Sequence, residues 1–291
     1  MNGAFEAQEW QIFLVGSGMG DKLKNLVNLL RGSPNKDLAR EFLSASNYDL
    51  NAAKVLKKDN INSLAIFHLQ QGIEKLCKSL FLFDNRRKVS DKTLRNHNSL
   101  EIIEAWTFKN QKIRSLLKHP LSGIFMEEKG LLRSPLTVIR GLLIGTMSAT
   151  FKNLGLGGSI DKLFEHERLT QRSILFEKRD EVAMEVAKFS TDKIEKLFRD
   201  IKNAEQQSKQ SARSFNSGYS EEQFAFLDGV IDLLGLAFLT FPHEDSSRYP
   251  TSKIGISYKE YNENKLGIVL SFEMLIEIAE NAQKSIDNVL S

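Results

Sequence analysis

Small and apolar residues return at helical spacing along both flanks of the chain. After the turn-like GSPNKD at 32–37, Ala39, Phe42, Leu43, Ser46, Leu50, Ala53 and Leu56 fall on one face of a helix. The polar run KKDNIN at 57–62 ends it, and Asn62 or Ser63 is placed to cap the next helix. That helix contains FHLQQGIEKLCKSLFLF at 67–83 and runs to about Phe83. Further on, Phe224, Leu227, Ile231, Leu234, Phe238 and Phe241 step by three and four. Ile268, Phe272, Leu275, Ala279, Ala282, Ile286 and Val289 do the same. Such seams pack helix against helix at shallow angles, which predicts an all-α, antiparallel up-and-down bundle.

The middle of the chain breaks this pattern. Segments punctuated by Gly and Pro (HPLSG, RSPLTVIRG, NLGLGGS) precede a charged helical stretch with Val182, Val186, Phe189, Ile194, Leu197 and Ile201 on one side. It closes in AEQQSKQSARSFNSGYS at 204–220, whose Gln and Ser content reads as a linker. The expected organisation is an N-terminal extension over 1–37 and a discontinuous bundle over 38–108 and 221–291. A mostly helical insertion over 109–220 divides that bundle.

On a helical wheel the 67–83 helix splits in two. Ala65, Ile66, Leu69, Gly72, Ile73, Leu76 and Leu80 take one side; His68, Gln71, Glu74, Lys75 and Lys78 take the other, with Gln70 at the edge. From spacing alone this polar stripe reads as a solvated face stiffened by the Glu74–Lys78 pair, worth a few tenths of a kcal/mol. Gly72, at mid-helix, is unfavourable by about 1 kcal/mol against alanine and signals close helix approach.

Composition narrows the class. The chain has 291 residues, 41% hydrophobic and 26% charged, enough for a real core. Net charge is +3, so a polyanion site has to come from local clustering. The lone Cys77 excludes an internal disulfide and fits a reducing, cytoplasmic setting. The longest greasy stretch, at 136–150, holds Arg140 and is too short to span a bilayer. A local cluster does exist. Arg86, Arg87, Lys88, Lys92, Arg95 and His97 follow closely on Lys75 and Lys78. Such a set can hold phosphates, and Arg248 with Tyr249 adds a guanidinium fork and a stacking ring. NLGLGGS has no following Lys–Ser/Thr and is not a phosphate loop, and His166 lacks a second ligand at metal spacing. No metal and no cofactor is expected.

The run REFLSASNYDLNAAKVLKKDNINSLAIFHLQQGIEKLCKSLFLF resembles the first two helices of the HEPN family. The family pattern A-x-x-D-L-x-x-A falls on Ser46, Asp49, Leu50 and Ala53. F-H-x-Q-Q-A-x-E-K-x-x-K falls on Phe67, His68, Gln70, Gln71, Gly72, Glu74, Lys75 and Lys78, with Gly72 for the usual alanine. NHNSL, with His97 and Leu100, matches a T-H-x-L segment. SSRYP at 246–250 is similar to the R-Y-P motif of one subgroup, with Thr251 where that subgroup has Asp.

This resemblance implies a helical bundle that forms a homodimer and binds nucleotide or RNA phosphates, in a toxin–antitoxin or phage-defence setting. A separate nucleotidyltransferase or antitoxin is the implied protein partner. Members that are metal-independent endoribonucleases carry R-x4–6-H in the late bundle. Here Arg114–His119 fits the letters but lies in the insertion with Pro120 directly after it, and His243–Arg248 runs in reverse order. The remaining catalytic candidates are Arg248, His97 and His243. The rival implied roles are that ribonuclease and a non-catalytic adaptor. The stripe on the 67–83 helix is then expected to meet a second protomer or a phosphate near Arg248.

Overall fold

The computed structural model describes residues 35–84, 99, 102, 179–214, 221–247 and 256–290. Among them the regular elements are helical, with no strand. In chain order they are α1 (Lys36–Lys58), α2 (Asn62–Asp84), α3 (Arg179–Ala187), α4 (Thr191–Ser214) and α5 (Glu221–Thr240). Then come α6 (His243–Ser246), α7 (Tyr258–Asn262), α8 (Gly267–Leu270) and α9 (Phe272–Leu290). No helix among the described residues is long and apolar enough to cross a membrane.

α1 and α2 form an antiparallel hairpin, and its periodic face is the core. Ala39, Leu43, Leu50 and Ala53 of α1 meet Ile66, Leu69, Ile73 and Leu76 of α2, all buried. Each fully buried large aliphatic contributes about 1.5–3 kcal/mol. Gly72 admits the hairpin's tightest fit: a Cβ there would lie 2.8 Å from Leu50 Cδ2. Small hydroxyls pin the register, Ser46 donating to the Gly72 carbonyl at 2.8 Å and Ser79 to that of Ala39 at 2.9 Å. α5 and α9 complete the bundle. α9 runs antiparallel to α1, with Gln283 donating to the Leu43 carbonyl and Lys57 to that of Val269 at the other end. Lys54 and Glu280 pair between them.

The hairpin turn departs from the sequence expectation. α1 ends in a Schellman motif: Ile61 N–H bonds the Leu56 carbonyl and Asn60 N–H that of Lys57, with Asn60 at φ 59°. α7 ends the same way, with Asn264 at φ 53° and bonds from Lys265 to Glu260 and from Asn264 to Tyr261. Asparagine tolerates this left-handed backbone better than other side-chain-bearing residues. The side chain of Asn62 does not cap its own helix. It donates to Asn264 Oδ1 at 3.0 Å, and Asn262 accepts instead from the Ser63 N–H at 3.3 Å. The cap of α2 thus comes from a residue about two hundred positions away.

Within the stretch expected to be an insertion, α3 and α4 pack on the bundle. Ile201 and Phe198 of α4 lie where a Cβ on Gly235 of α5 would come within 3.0 and 3.2 Å. Lys202 of α4 pairs with buried Asp232 of α5 at 2.8 Å. The linker expected over 204–220 is corrected in its first part, since α4 continues to Ser214. Its Ala, Glu, Gln, Lys and Arg are good helix formers, and Ser-rich composition alone does not end a helix.

Gly267 sits where α8 abuts the α3–α4 connection. A Cβ there would fall 2.2 Å from the Phe189 carbonyl oxygen and 2.7 Å from the Ser190 carbonyl carbon. Those are backbone atoms that cannot step aside. Gly267→Ala is expected to lower the unfolding free energy by about 3 kcal/mol or more in urea titrations, at the upper end of overpacking effects.

Candidate functional site

The polar stripe of α2 is not a solvated face. Its members divide into a largely buried inner group and an outer group on the seam with α1. The inner group is built on Glu74 and Lys78, one helical turn apart, whose Nζ–Oε1 distance is 2.6 Å and whose side chains are only 2% and 5% exposed. Gln71 Nε2 donates to Glu74 Oε2 at 3.2 Å and to Gln70 Oε1 at 2.7 Å. The Lys78 ammonium also lies 5.7 Å from the centre of the Phe42 ring of α1. Gln70 is fully buried, and its amide nitrogen has no partner among the described residues. An ion pair this deep must be compensated locally, because each charge has given up its water. The apolar side of α2 is also buried, through Ala65, Ile66, Leu69, Ile73, Leu76 and Leu80.

The outer group is centred on Asp49 of α1, whose carboxylate takes one α2 side chain on each oxygen. His68 Nδ1 lies 2.9 Å from Oδ1, and Lys75 Nζ contacts Oδ2. Burial alone would raise the Asp49 carboxyl, but the hydrogen bonds and charges of His68 and Lys75 outweigh it and hold it below the ordinary carboxylate value. A carboxylate only accepts, so His68 Nδ1 carries the proton. The Phe67 ring stands edge-on to the imidazole at 5.2 Å. Here the side chains remain reachable: His68 is 31% and Lys75 27% exposed, against 12% for Asp49.

These positions sort the residues singled out by sequence. Lys75 is at the half-open seam, whereas Lys78 is directed inward onto Glu74. Arg86, Arg87, Arg95, His97, Arg248 and Tyr249 lie outside the described residues. His243 is buried between α6 and α7. Its Nδ1 is 2.6 Å from the Tyr261 hydroxyl, which also lies 2.9 Å from Ser246 Oγ. Burial drives the imidazole down to about 3 and pushes the Tyr261 phenol up. In this setting His243 is neutral at physiological pH and is not presented to solvent. Sequence reasoning did not single out His68 and Asp49 as site residues. The signal was available in their shared place in the helical patterns of α1 and α2, but periodicity does not tell which carboxylate receives which cation.

Two expectations follow for stability. Glu74→Ala strands the Lys78 charge inside the protein and should lower the unfolding free energy by about 3–5 kcal/mol, whereas Glu74→Leu with Lys78→Met should be close to neutral. Urea titration of the single and double variants compares them directly. For His243 the folded value lies below the free value of 6.5, so the unfolded chain takes up a proton that the folded one refuses. Stability should therefore fall as pH drops from about 6.5 toward 3. By pH 4 the loss is on the order of 3 kcal/mol at most. His243→Gln should flatten that part of the profile.

No curated protein and no solved structure matches the chain. A family model does: the HEPN domain aligns with residues 39–118, which takes in nearly all of α1, the whole of α2 and the basic run beyond them. The matched segment holds Asp49, His68, Glu74, Lys75 and Lys78, the residues that build both polar groups. Together with the all-helical architecture of the described residues, this match places a HEPN domain over residues 39–118 of the chain.

Proposed function

We propose that this protein binds nucleotide or RNA phosphates. In general terms, the HEPN domain directs its function toward nucleotides or RNA. The observation that supports binding is the composition of the matched segment. Residues 39–118 carry every basic residue of the candidate set except Arg248: Lys75, Lys78, Arg86, Arg87, Arg95 and His97. Lys75 is the member with a partly open place at the α1–α2 seam, while Lys78 serves the interior. Arg86, Arg87 and Arg95 supply forks suited to phosphate oxygens, and Tyr249 a ring on which a base can stack. A homodimer would double the number of phosphates in reach, and a separate nucleotidyltransferase or antitoxin would be the protein partner in a toxin–antitoxin or defence setting.

The test uses a fluorescently labelled oligoribonucleotide in EDTA, read by anisotropy at several salt concentrations and by gel for integrity. Expected is saturable binding whose logarithm falls with log salt by about 0.7 per phosphate contacted. Arg86→Ala with Arg87→Ala should weaken it, and the RNA should remain intact. Cleavage lost in Arg248→Ala would make the protein a metal-independent ribonuclease instead. Neither binding nor cleavage would favour the adaptor role.

A further inference from the structure

The side of α1 turned away from the bundle carries no charge for about three turns. Its inward faces are taken: Leu43, Ser46 and Leu50 are buried, Asp49 holds the seam with α2, and Lys54 reaches Glu280 of α9. The opposite face runs through Ser44, Tyr48, Asn51 and Val55, all exposed, with Ala45 and Ala52 half-buried beside them. Tyr48 is 75% and Val55 59% exposed. They stand two turns apart, at i and i+7, on one line of the helix. A helix face kept in water ordinarily carries charged side chains. Between Glu41 and Lys54 the one charged residue of α1 is Asp49, and His68 and Lys75 occupy it. Ala45 and Ala52 beside Tyr48 leave the groove that the ridge of a further helix needs.

The chain itself supplies such a helix at the right place. Asn35, just before α1, is held beside the end of α2, its side-chain amide donating to the Leu82 carbonyl at 3.5 Å. Residues 1–34 therefore lead into α1 at the open end of the hairpin, and Gly32, Ser33 and Pro34 stand at the join as turn formers. Ahead of them Leu23, Leu26, Val27 and Leu30 recur at i, i+3, i+4 and i+7, the spacing of one apolar helical face. Connections this short join antiparallel neighbours. The lengths agree. At about 1.5 Å per residue, Tyr48 lies roughly 18 Å along α1 from Lys36, and a helical 21–31 would span about 16 Å. Residues 32–35 add up to about 13 Å of reach. That is enough to bring Leu23 level with Tyr48, while α2 and α9 already hold the other sides of α1.

We propose that residues 21–31 dock as an amphipathic helix along the uncharged face of α1, antiparallel to it, with their apolar stripe over Ala45 and Tyr48. The occupant of this face is thus the N-terminal segment of the same chain. Phosphate binding is not required for it to seat there.

Ser44→Cys puts a reporter thiol one turn from Tyr48 on the same face with little change in size, and the native Cys77 is buried. The full chain is labelled with a maleimide and read by mass spectrometry, with Lys265→Cys as the exposed reference, since Lys265 is 66% exposed. Ser44→Cys is expected to label about tenfold or more slowly than the reference, as a docking equilibrium of roughly ten to one gives. Leu26→Asp with Val27→Asp puts charge into the docked stripe and should bring the two rates together. Cys77 left unlabelled in the same samples reports an intact bundle; where the aspartates expose it, Leu26→Ser with Val27→Ser takes their place. Labelling of Ser44→Cys at the reference rate would overturn the docking, as would slow labelling that the Leu26 and Val27 substitutions leave unchanged. Protection that fades on roughly hundredfold dilution would assign the face to a second copy of the chain and overturn it too.

Discussion

A charged pair inside the bundle governs the arrangement of everything around it. Glu74 and Lys78 sit on a buried part of α2, and two ions that have given up their water need compensating partners. Gln71, one turn before Glu74, donates a hydrogen bond to its carboxylate, and the Phe42 ring of α1 lies over the Lys78 ammonium. These requirements fix the rotation of α2 about its axis. With Glu74 and Lys78 turned inward, Ile66, Leu69 and Ile73 face the other helices, and His68 and Lys75 come onto the seam where Asp49 waits.

That rotation separates residues that look alike in the sequence. Lys78 and Lys75 are three positions apart, each salt-bridged to a carboxylate, yet the first is largely sealed and the second a quarter exposed. The inner pair is satisfied within α2 itself, whereas the outer triad combines a helix-to-helix tie with a chemical edge that solvent reaches. For phosphate binding this matters because a lysine already paired inside the protein adds little attraction for an anion outside. Under the proposed phosphate binding, the attracting charge would come from Lys75 at the seam and from the basic run that follows α2 in the chain.

Much of the architecture was readable from spacing. The α9 seam Phe272, Leu275, Ala279, Ala282, Ile286 and Val289 is buried throughout, and the α1 face matches the core. Gly72 reported close approach correctly, since the space a side chain would need is filled by Leu50. What spacing could not reveal was the environment opposite each face. A helical wheel gives the angle of Glu74 and Lys78 but not whether water or protein lies there, so an enclosed stripe and a wet one read the same. The Asn62–Asn264 and Ser63–Asn262 contacts join positions about two hundred residues apart, and local capping rules have no access to such partners. His243 drew notice for its proximity to Arg248, while its hydrogen bond to Tyr261 appears only once α6 and α7 are brought together.

The central claim, that the α2 stripe turns its charge inward at Lys78 and outward only at the seam, is tested most directly by lysine acetylation of the native protein followed by mass spectrometry. Lys265, two-thirds exposed, provides the fast reference. Lys78 is expected to stay unmodified under native conditions and to react only after unfolding, with Lys75 at an intermediate rate. A Lys78 amine that reacts as fast as Lys265 would contradict the claim.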